Sequence, residues 1–536
     1  MTVDVIKLKK RIAIALSALF AAASLAAVIY YIIFPSEQYF HADCSDTILW
    51  AKASFDSKSL FNEDFGYAAM LPFGGTMLML PFIGIFGVSM TTHHIGMVLF
   101  TLLFFASAFL LCRSLKFSLP LSFTAVSVLA MVLCASAKLR EIFYEHVIYY
   151  SISALIVFVV LSLLLRFKDC FDKKENGKLI FIIISVVVFS ACSALDGMQV
   201  IATGIVPVLF AAVAEMIFTG EKKIVSKENK STVFFCLICG AAVVIGMGLL
   251  AVLSNGVEAG YANAYSQYAN MEDWLSNLGN FPLHWFWLFG VDAHYGMSIF
   301  SPESIVNIVR IASAVIVAVV PFIALVFYKK FDARSRMLIL SHLGVTGVIM
   351  FGYIFGILSA ANWRLSPMIC TGVLVCFAAF RTAKDYAVSL RLSVLAACVL
   401  ILMSGVSFKC IAEMDKNGIE NNEKYKLAQT LDEKGLNYGY ATFWNSQAIT
   451  VLSDSKVRAA NVDINENGIA PCRYQANMKW FEEQEGVEKY FVLASDYEVE
   501  VLKSTVDWNL FEILAVETIK IEGYQIFVFD NLFFLK

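Results

Sequence analysis

The feature that most constrains this chain is a series of apolar runs of about 20 residues, the length of helix that crosses a bilayer. Charged residues make up only 16% of the sequence and apolar residues 59%, whereas soluble domains are about 25% charged. The composition therefore predicts a polytopic membrane protein with an all-α membrane domain over residues 1–408. Its eleven expected transmembrane helices are 12–34, 94–111, 118–137, 147–165, 179–195, 198–218, 233–253, 305–328, 337–358, 366–380 and 392–408.

The distribution of Lys and Arg predicts the orientation of these helices. Segments on one side of the eleven crossings hold 22 Lys and Arg, and segments on the other side hold 5. Because basic loops stay in the cytoplasm, the N-terminus is expected inside the cell membrane, with loops 35–93 and 254–304 outside. Residues 68–90 are apolar but interrupted by Pro72, Gly74, Gly75 and Pro81. A crossing there would invert all later charges, so this segment is predicted to lie at the outer face.

Residues 409–536 return to a mixed polar pattern and are expected to form a small extracytoplasmic α/β or α+β domain. A helix is predicted over 422–434, where Leu427 and Leu431 have helical spacing before Gly435. Residues 438–444, 489–495 and 524–530 have the composition of strands. The sequence therefore predicts a soluble appendage on the outer side of the membrane domain.

Polar residues are concentrated in the expected outer loops. The net charge of −3 provides no basic field for nucleic acid, so no nucleic-acid partner is expected. The first loop instead carries a group of acids, Asp43, Asp46, Asp56, Glu63 and Asp64. An ordinary solvated loop would also contain acids, but here the acids follow directly on the first helix.

The long loop 254–304 contains no Lys or Arg and is rich in aromatic residues, among them Trp285. Tyr261, Tyr265 and Tyr268 would share one helix face. An aromatic belt at the headgroup level explains this composition, and so does a platform for a lipid or a polymer chain. The same loop contains three possible metal ligands or hydrogen-bond partners, which are His284, Asp292 and His294. Their spacing matches no known ligand pattern.

Two arginines lie in expected outer loops. Arg364 stands in SAANWRLSP and Arg140 in AKLREIFYEH, a segment that ends at His146. A guanidinium group can hold two phosphate oxygens at once, although contact with lipid headgroups would explain both positions as well. Asp196, between two closely spaced runs, is either a functional acid within the membrane or a simple turn residue.

The first loop resembles that of the GT-C superfamily of membrane glycosyltransferases, which includes protein mannosyltransferases, oligosaccharyltransferase catalytic subunits and aminoarabinose transferases. Residues 46–57, DTILWAKASFDS, are similar to the acid and short helix that begin this loop in the superfamily. Residues 65–87, FGYAAMLPFGGTMLMLPFIGIFG, are similar to its proline-containing juxtamembrane segment. The resemblance therefore also implies that residues 68–90 do not cross the membrane.

The resemblance implies an enzyme that moves a sugar from a polyprenyl-phosphate carrier to a cell-envelope acceptor, which is a glycan, a lipid or a protein. Asp46, or else Asp43, would be the general base. Arg364 would stabilise the released phosphate. The superfamily allows a divalent cation on the acidic pair, and the residues do not decide whether one binds. Further substrate contacts are expected from Arg140, His146, Trp285 and His294.

Two other functions remain open. One is a multi-span transporter or flippase of envelope lipids or glycans, and the other is a non-catalytic envelope assembly protein. A cluster of acids in the first loop and a soluble outer domain have no obvious use in a transporter. Transporters also commonly show two matching halves with interrupted helices, which this sequence lacks.

Overall fold

The computed structural model describes residues 3–218, 229–257, 266–357, 360–383, 387–505 and 508–535. Within these ranges ten helices are long and apolar enough to cross a membrane. This confirms a mainly helical, multi-pass membrane protein with a C-terminal sheet domain. The ten helices are Ile6–Ile33, Met90–Ser114, Tyr149–Asp172, Asn176–Leu195, Met198–Phe218, Lys230–Leu253, Pro302–Val326, Ala333–Phe355, Asn362–Thr382 and Arg391–Ala412.

The expected span 118–137 is not one straight helix. Leu119–Val132 is followed by Ala137–Glu145 at an angle of 116°, and the bent pair counts as an eleventh span only if both pieces are taken together. The bend has a local cause, because Ser136 has extended backbone and its side chain accepts a hydrogen bond from the Leu139 amide at 3.2 Å. An N-cap of this kind starts a new helix.

The expected juxtamembrane segment is broken into short pieces. After α1 (Val3–Ile33) come a 3₁₀ turn (Pro35–Tyr39) and α2 (Ala42–Ser57). A π-helical turn (Pro72–Thr76) then leads into the ten-residue α3 (Met77–Phe86), which ends at Gly87 with a φ of 66°. At 1.5 Å per residue α3 is about 15 Å long, roughly half of a hydrocarbon core. Its length therefore agrees with the prediction that residues 68–90 do not span; α4 (Met90–Ser114) follows.

The chain divides into two compact units. The first comprises Met1–Tyr31, Phe100–Ala251 and Tyr265–Met414, and it holds most of the membrane helices as well as the helix Asp273–Leu288. The second comprises Ile32–Leu99, Val252–Ala264 and Asp415–Lys536. This grouping differs from the expected domains 1–408 and 409–536, because the first loop packs with the C-terminal domain.

The C-terminal part of the second unit is built on a six-stranded mixed sheet with the order β3-β2-β1-β4-β6-β5. Strand β1 pairs in parallel with β2 and β4, and the other pairs are antiparallel. The strands are β1 (Tyr438–Ala441), β2 (Arg458–Asn465), β3 (Gly468–Pro471), β4 (Tyr490–Ser495), β5 (Glu517–Ile521) and β6 (Tyr524–Phe529), and the helices beside them are Gly418–Asn421, Glu423–Glu433, Phe443–Leu452, Asp496–Lys503 and Trp508–Leu514.

Both faces of this sheet are covered by hydrophobic residues. Along β4, Tyr490 and Val492 join the core on one face and Phe491 and Leu493 join the core on the other. Successive side chains of a strand point to opposite faces, so a strand buried on both faces is apolar throughout. The apolar runs of the tail are therefore central strands of a packed domain.

The structure confirms the predicted strands at 489–495 and 524–530 and the helix over 422–434, which runs from Glu423 to Glu433 before Gly435 at a φ of 68°. The prediction of a strand over 438–444 is wrong at its end. The strand stops at Ala441, because extended Thr442 is the N-cap of a helix that begins at Phe443.

Candidate functional site

Helix α2 carries the two candidate acids of the first loop. Asp43 lies in its first turn and Asp46 one turn later, so the two carboxyl groups share one helix face. The positive end of the helix dipole stabilises negative charge in that first turn. Oxygen Oδ1 of Asp46 is buried. The fold therefore places two acids side by side and withdraws one carboxylate oxygen of Asp46 from solvent.

The environment of Asp46 makes its carboxyl group harder to ionise. Burial raises its pKa well above the ordinary value, and the neighbouring Asp43 raises the pKa further. The Gln475 side chain acts in the opposite direction by hydrogen bonding, which lowers the pKa. A carboxylate whose pKa is raised accepts a proton more readily when it is ionised, which suits a general base.

Trp50 and Gln475 make a buried polar contact beside this acid. The Trp50 indole Nε1 donates to Gln475 Oε1 at 2.7 Å, and the Ala68 amide donates to the same oxygen at 3.3 Å. Trp50 is 3% exposed and Gln475 is fully buried. The contact fixes the orientation of both side chains within the second unit.

A short backbone ladder joins the first loop to the segment that carries Gln475. The Gln475 amide donates to the Gly66 carbonyl at 2.7 Å, the Gly66 amide to the Ala476 carbonyl at 2.9 Å, and the Met478 amide to the Asp64 carbonyl at 2.9 Å. A side chain on Gly66 would overlap the Arg473 carbonyl, so the close approach requires glycine.

A second titratable group in this unit involves the 3₁₀ turn after α1. Glu37 lies 3.5 Å from the His94 imidazole. Burial, and then the charge of Asp454, raise the pKa of Glu37 to about 7. Asp454 in turn accepts a hydrogen bond from the Met90 amide at 3.1 Å. These groups hold the turn against the start of α4.

In the first unit, Arg140 is buried at the bend after Leu119–Val132. Its Nη1 donates to the Cys134 carbonyl at 3.0 Å, and its guanidinium lies 5.4 Å from the centre of the Tyr31 ring. The Tyr31 hydroxyl donates to the buried Glu145 carboxylate. Arg140 is thus fixed in a polar network rather than extended towards lipid.

Another cation of this unit, Lys138, lies two residues before Arg140 in the sequence. Lys138 Nζ lies 2.5 Å from Glu141 Oε2 and 4.9 Å from the centre of the Trp363 ring. Trp363 precedes Arg364, so the fold brings the segments of Arg140 and Arg364 to one place in the first unit. We call Lys138, Arg140 and Arg364 the cationic cluster.

Arg364 is only partly buried. Its Nε donates to the Tyr150 hydroxyl at 2.9 Å and its Nη1 to the Gly352 carbonyl at 3.4 Å. Gln199 Nε2 also donates to Tyr150, at 3.2 Å. A guanidinium has five N–H donors, and the protein contacts of Arg364 within the described residues use two of them. The group is therefore oriented and still has donors for an anion.

The other predicted substrate-binding residues differ in how far they are buried. His146 is buried at the end of the π-helical turn Glu141–Glu145, near the cationic cluster in sequence. Trp285 is 4% exposed, and its indole donates to the Ala314 carbonyl at 2.9 Å, which makes it a packing residue. His294 is exposed in the following loop.

The candidate metal ligands of the long loop do not converge within the described residues. His284 instead bonds the Tyr353 hydroxyl through Nδ1 at 2.7 Å, and burial lowers the pKa of the imidazole. Of the predicted tyrosine face, Tyr261 and Tyr265 lie outside the described residues. A divalent cation on the first-loop acids stays a prediction.

The sequence did not point to Gln475, Tyr150 or Lys138. Gln475 lies more than 400 residues from Asp46 in the sequence, with no motif around it. Tyr150 and Lys138 stand beside predicted residues, but their contacts depend on segments far along the chain. Asp196 is buried at the end of the helix Asn176–Leu195, where its amide donates to the Ser193 carbonyl at 3.2 Å.

No protein-family model and no curated protein sequence matches the chain. Among solved structures, it is similar to ArnT from Cupriavidus metallidurans in the apo state, with 11% identity over 97% of this chain and 98% of that one and a TM-score of 0.46. It is also similar to the archaeal oligosaccharyltransferase AglB from Archaeoglobus fulgidus, in complex with an inhibitory peptide and a dolichol-phosphate, with 10% identity, coverage of 95% and 74%, and a TM-score of 0.47.

A third similar structure is the arabinofuranosyltransferase AftD from Mycobacteria, with 11% identity, a TM-score of 0.43 and coverage of 97% of this chain and 40% of that one. These structural neighbours are members of the GT-C superfamily that the first-loop residues resemble.

Proposed function

We propose that the protein is a membrane glycosyltransferase that moves a sugar from a polyprenyl-phosphate carrier to a cell-envelope acceptor, with Asp46 as the general base. The observation that carries this proposal is the carboxyl group of Asp46, which has one buried oxygen and a raised pKa beside a second acid on the loop after the first span. Perturbed carboxyl groups of this kind are common at catalytic sites.

In the proposed reaction, the hydroxyl oxygen of the acceptor forms a bond to the anomeric carbon of the donor sugar. The bond between that carbon and the phosphate oxygen breaks, and the phosphate leaves with the lipid. Asp46 takes the proton of the acceptor hydroxyl, so this step needs no base from solution. Arg364 is proposed to stabilise the negative charge on the leaving phosphate, supported by the other cations of the cationic cluster.

The reaction is proposed to take place on the outer face of the cell membrane. The basic residues of the predicted inner segments support this orientation, with the N-terminus inside and the C-terminal domain outside. Nucleotide sugars are not available there, whereas a lipid-linked donor can be delivered within the membrane. The product phosphate would remain with the lipid carrier.

Replacing Asp46 tests the proposal directly. Asp46→Asn keeps the side-chain volume but removes the proton acceptor, so transfer should fall by about 10²–10⁴-fold. The measurement is transfer of labelled sugar from purified polyprenyl-phosphate hexoses and pentoses to envelope fractions, by membranes that contain equal amounts of folded protein.

Asp56→Asn is the matched control, because Asp56 is also on α2 but is exposed and paired with Lys52 at 2.5 Å. It should retain normal transfer. Asp43→Asn distinguishes the two acids of the pair. Full activity in the Asp43, Asp46 double variant would end the proposal and would favour the transporter or flippase.

A further inference from the structure

Gln475 has a backbone conformation that few side chains adopt. Its φ is +56°, in the left-handed region, and the residue is fully buried. Its amide donates to the Gly66 carbonyl at 2.7 Å, and its carbonyl accepts from Gln447 Nε2 at 2.8 Å. A non-glycine residue held in this region by surrounding contacts is a reason to look for a function.

The contacts of Gln475 define which end of its amide faces Asp46. Two N–H donors, from the Trp50 indole and the Ala68 backbone, point at one terminal atom of the Gln475 side chain. Only the amide oxygen can accept them, so this atom is Oε1 and the other end is the NH₂ group. The NH₂ group is therefore the end available to the Asp46 carboxyl group, with which the side chain interacts.

No hydrogen bond of good geometry joins Gln475 to Asp46 in this structure. Gln475 Nε2 and Asp46 Oδ1 are both buried, and neither completes a hydrogen bond of good geometry within the described residues. Burying such a donor and acceptor costs free energy. Catalytic hydrogen bonds are often long or misaligned before substrate binds and tighten in the complex.

We propose that Gln475 is a positioning residue for Asp46, by which the C-terminal domain completes the candidate catalytic centre. Its NH₂ group donates to the Asp46 carboxylate and orients it for proton transfer from the acceptor hydroxyl. Trp50 and the ladder between residues 64–66 and 475–478 hold Gln475 in place. This inference rests on the proposed function and gives the C-terminal domain a role in it.

The sign of the effect on Asp46 follows from the groups that face it. Asp43 from α2 disfavours the ionised form, and the Gln475 donor favours it. Without the donor, the pKa of Asp46 rises further. Because the base works when ionised, the acidic limb of the pH profile for transfer moves to higher pH.

Gln475→Glu is the sharpest test, because it is nearly isosteric and keeps an oxygen that accepts from Trp50 and Ala68. It replaces the NH₂ donor by a second oxygen facing Asp46 and adds a carboxyl group, and both changes disfavour the ionised form of Asp46. The transfer rate should fall roughly 10- to 100-fold at neutral pH, the range expected for a hydrogen bond to a charged group. The acidic limb should move up, with little change in KM for the donor.

Gln429→Glu is the control. It makes the same chemical change at an exposed position of the helix Glu423–Glu433 in the same unit. Its transfer rate and pH profile should match those of the unchanged protein. If Gln475→Glu does not fold, Trp50→Phe takes its place: it removes the donor that orients Gln475 and should move the acidic limb in the same direction by less.

The outcomes separate the two proposals. Normal transfer by the Asp43, Asp46 double variant overturns the proposed function itself. Normal transfer by Asp46→Asn alone overturns the role of Asp46 and, with it, the role of Gln475. If Asp46→Asn is inactive while Gln475→Glu has the rate and pH profile of Gln429→Glu, only the role of Gln475 is overturned. A lower rate with an unmoved acidic limb, in Gln475→Glu or in Trp50→Phe, assigns these residues to packing and also overturns it.

Discussion

At the scale of the residue, burial distinguishes among acids that look alike in the sequence. Asp56 is paired with Lys52 and Asp64 with Lys479, each at 2.5 Å and close to solvent. Asp46 instead has a buried oxygen and a neighbouring acid, so its pKa rises. The chemical difference between these carboxyl groups comes from what surrounds each of them.

Arg364 provides a test of phosphate binding at this scale. Arg364→Lys keeps the positive charge but loses the planar pair of donors and the Nε contact with Tyr150. Transfer should fall, on the order of 10²-fold, the cost of removing one donor to a developing charge. Steady-state kinetics with a polyprenyl-phosphate sugar measure this, and the exposed Arg391→Lys is the control. Equal kinetics in the two variants would exclude Arg364 from phosphate stabilisation.

At the scale of the element, the first loop and the C-terminal domain are held together by backbone contacts. Asn422 is the N-cap of the helix Glu423–Glu433, and its Nδ2 donates to the carbonyls of Glu37 at 2.8 Å and Phe40 at 3.0 Å. The ladder at Gly66 adds a second connection. Because several hydrogen bonds join them, α2 and the sheet domain should unfold together.

Gly66→Ala should disrupt this connection. The added Cβ would overlap the Arg473 carbonyl, and the ladder would have to shift with Gln475. A destabilisation of about 1–3 kcal/mol is typical of overpacking, and transfer should fall as well. Thermal unfolding in detergent measures the first effect. Gly279→Ala is the control, since a Cβ there meets no atom within 4 Å; equal unfolding temperatures would show that the ladder tolerates a side chain.

At the scale of the whole molecule, the number of crossings decides which loops share one side of the membrane. The described part of the chain has ten helices of sufficient length, or eleven with the bent pair. An odd number of crossings puts the two ends of the chain on opposite sides. The charge distribution then supports a cytoplasmic N-terminus and an external C-terminal domain.

Cysteine labelling in intact cells tests this topology. Ser57→Cys, Thr91→Cys and Glu466→Cys, all at exposed positions, should react with a membrane-impermeant maleimide. Lys173→Cys should react only after lysis. Native Cys472 is a poor reporter, because it is half-buried and burial raises the pKa of its thiol; the unsubstituted protein gives the background. Opposite sides for positions 57 and 91 would mean that residues 68–90 cross the membrane.

The sequence by itself determined the class of the molecule and most of its elements. Apolar runs of fixed length specify membrane helices because a bilayer requires every backbone group to bond within its own segment. Proline and glycine shorten α3 for equally local reasons, and short, nearly continuous apolar runs define β4 and β6. Such features depend on neighbours in the sequence, so a single chain reveals them. The end of β1 was missed because Thr442 suits either a strand or a helix cap.

Only the tertiary structure decided what surrounds the candidate site. Asp46 and Arg364 stand out as residue types in particular loops, but neither the burial of Asp46 nor the Tyr150 partner of Arg364 follows from local pattern. Gln475 is an ordinary polar residue until the fold brings it to Trp50, 425 positions away in the sequence. Contacts over such separations are set by how elements pack, and burial and pKa depend on those contacts.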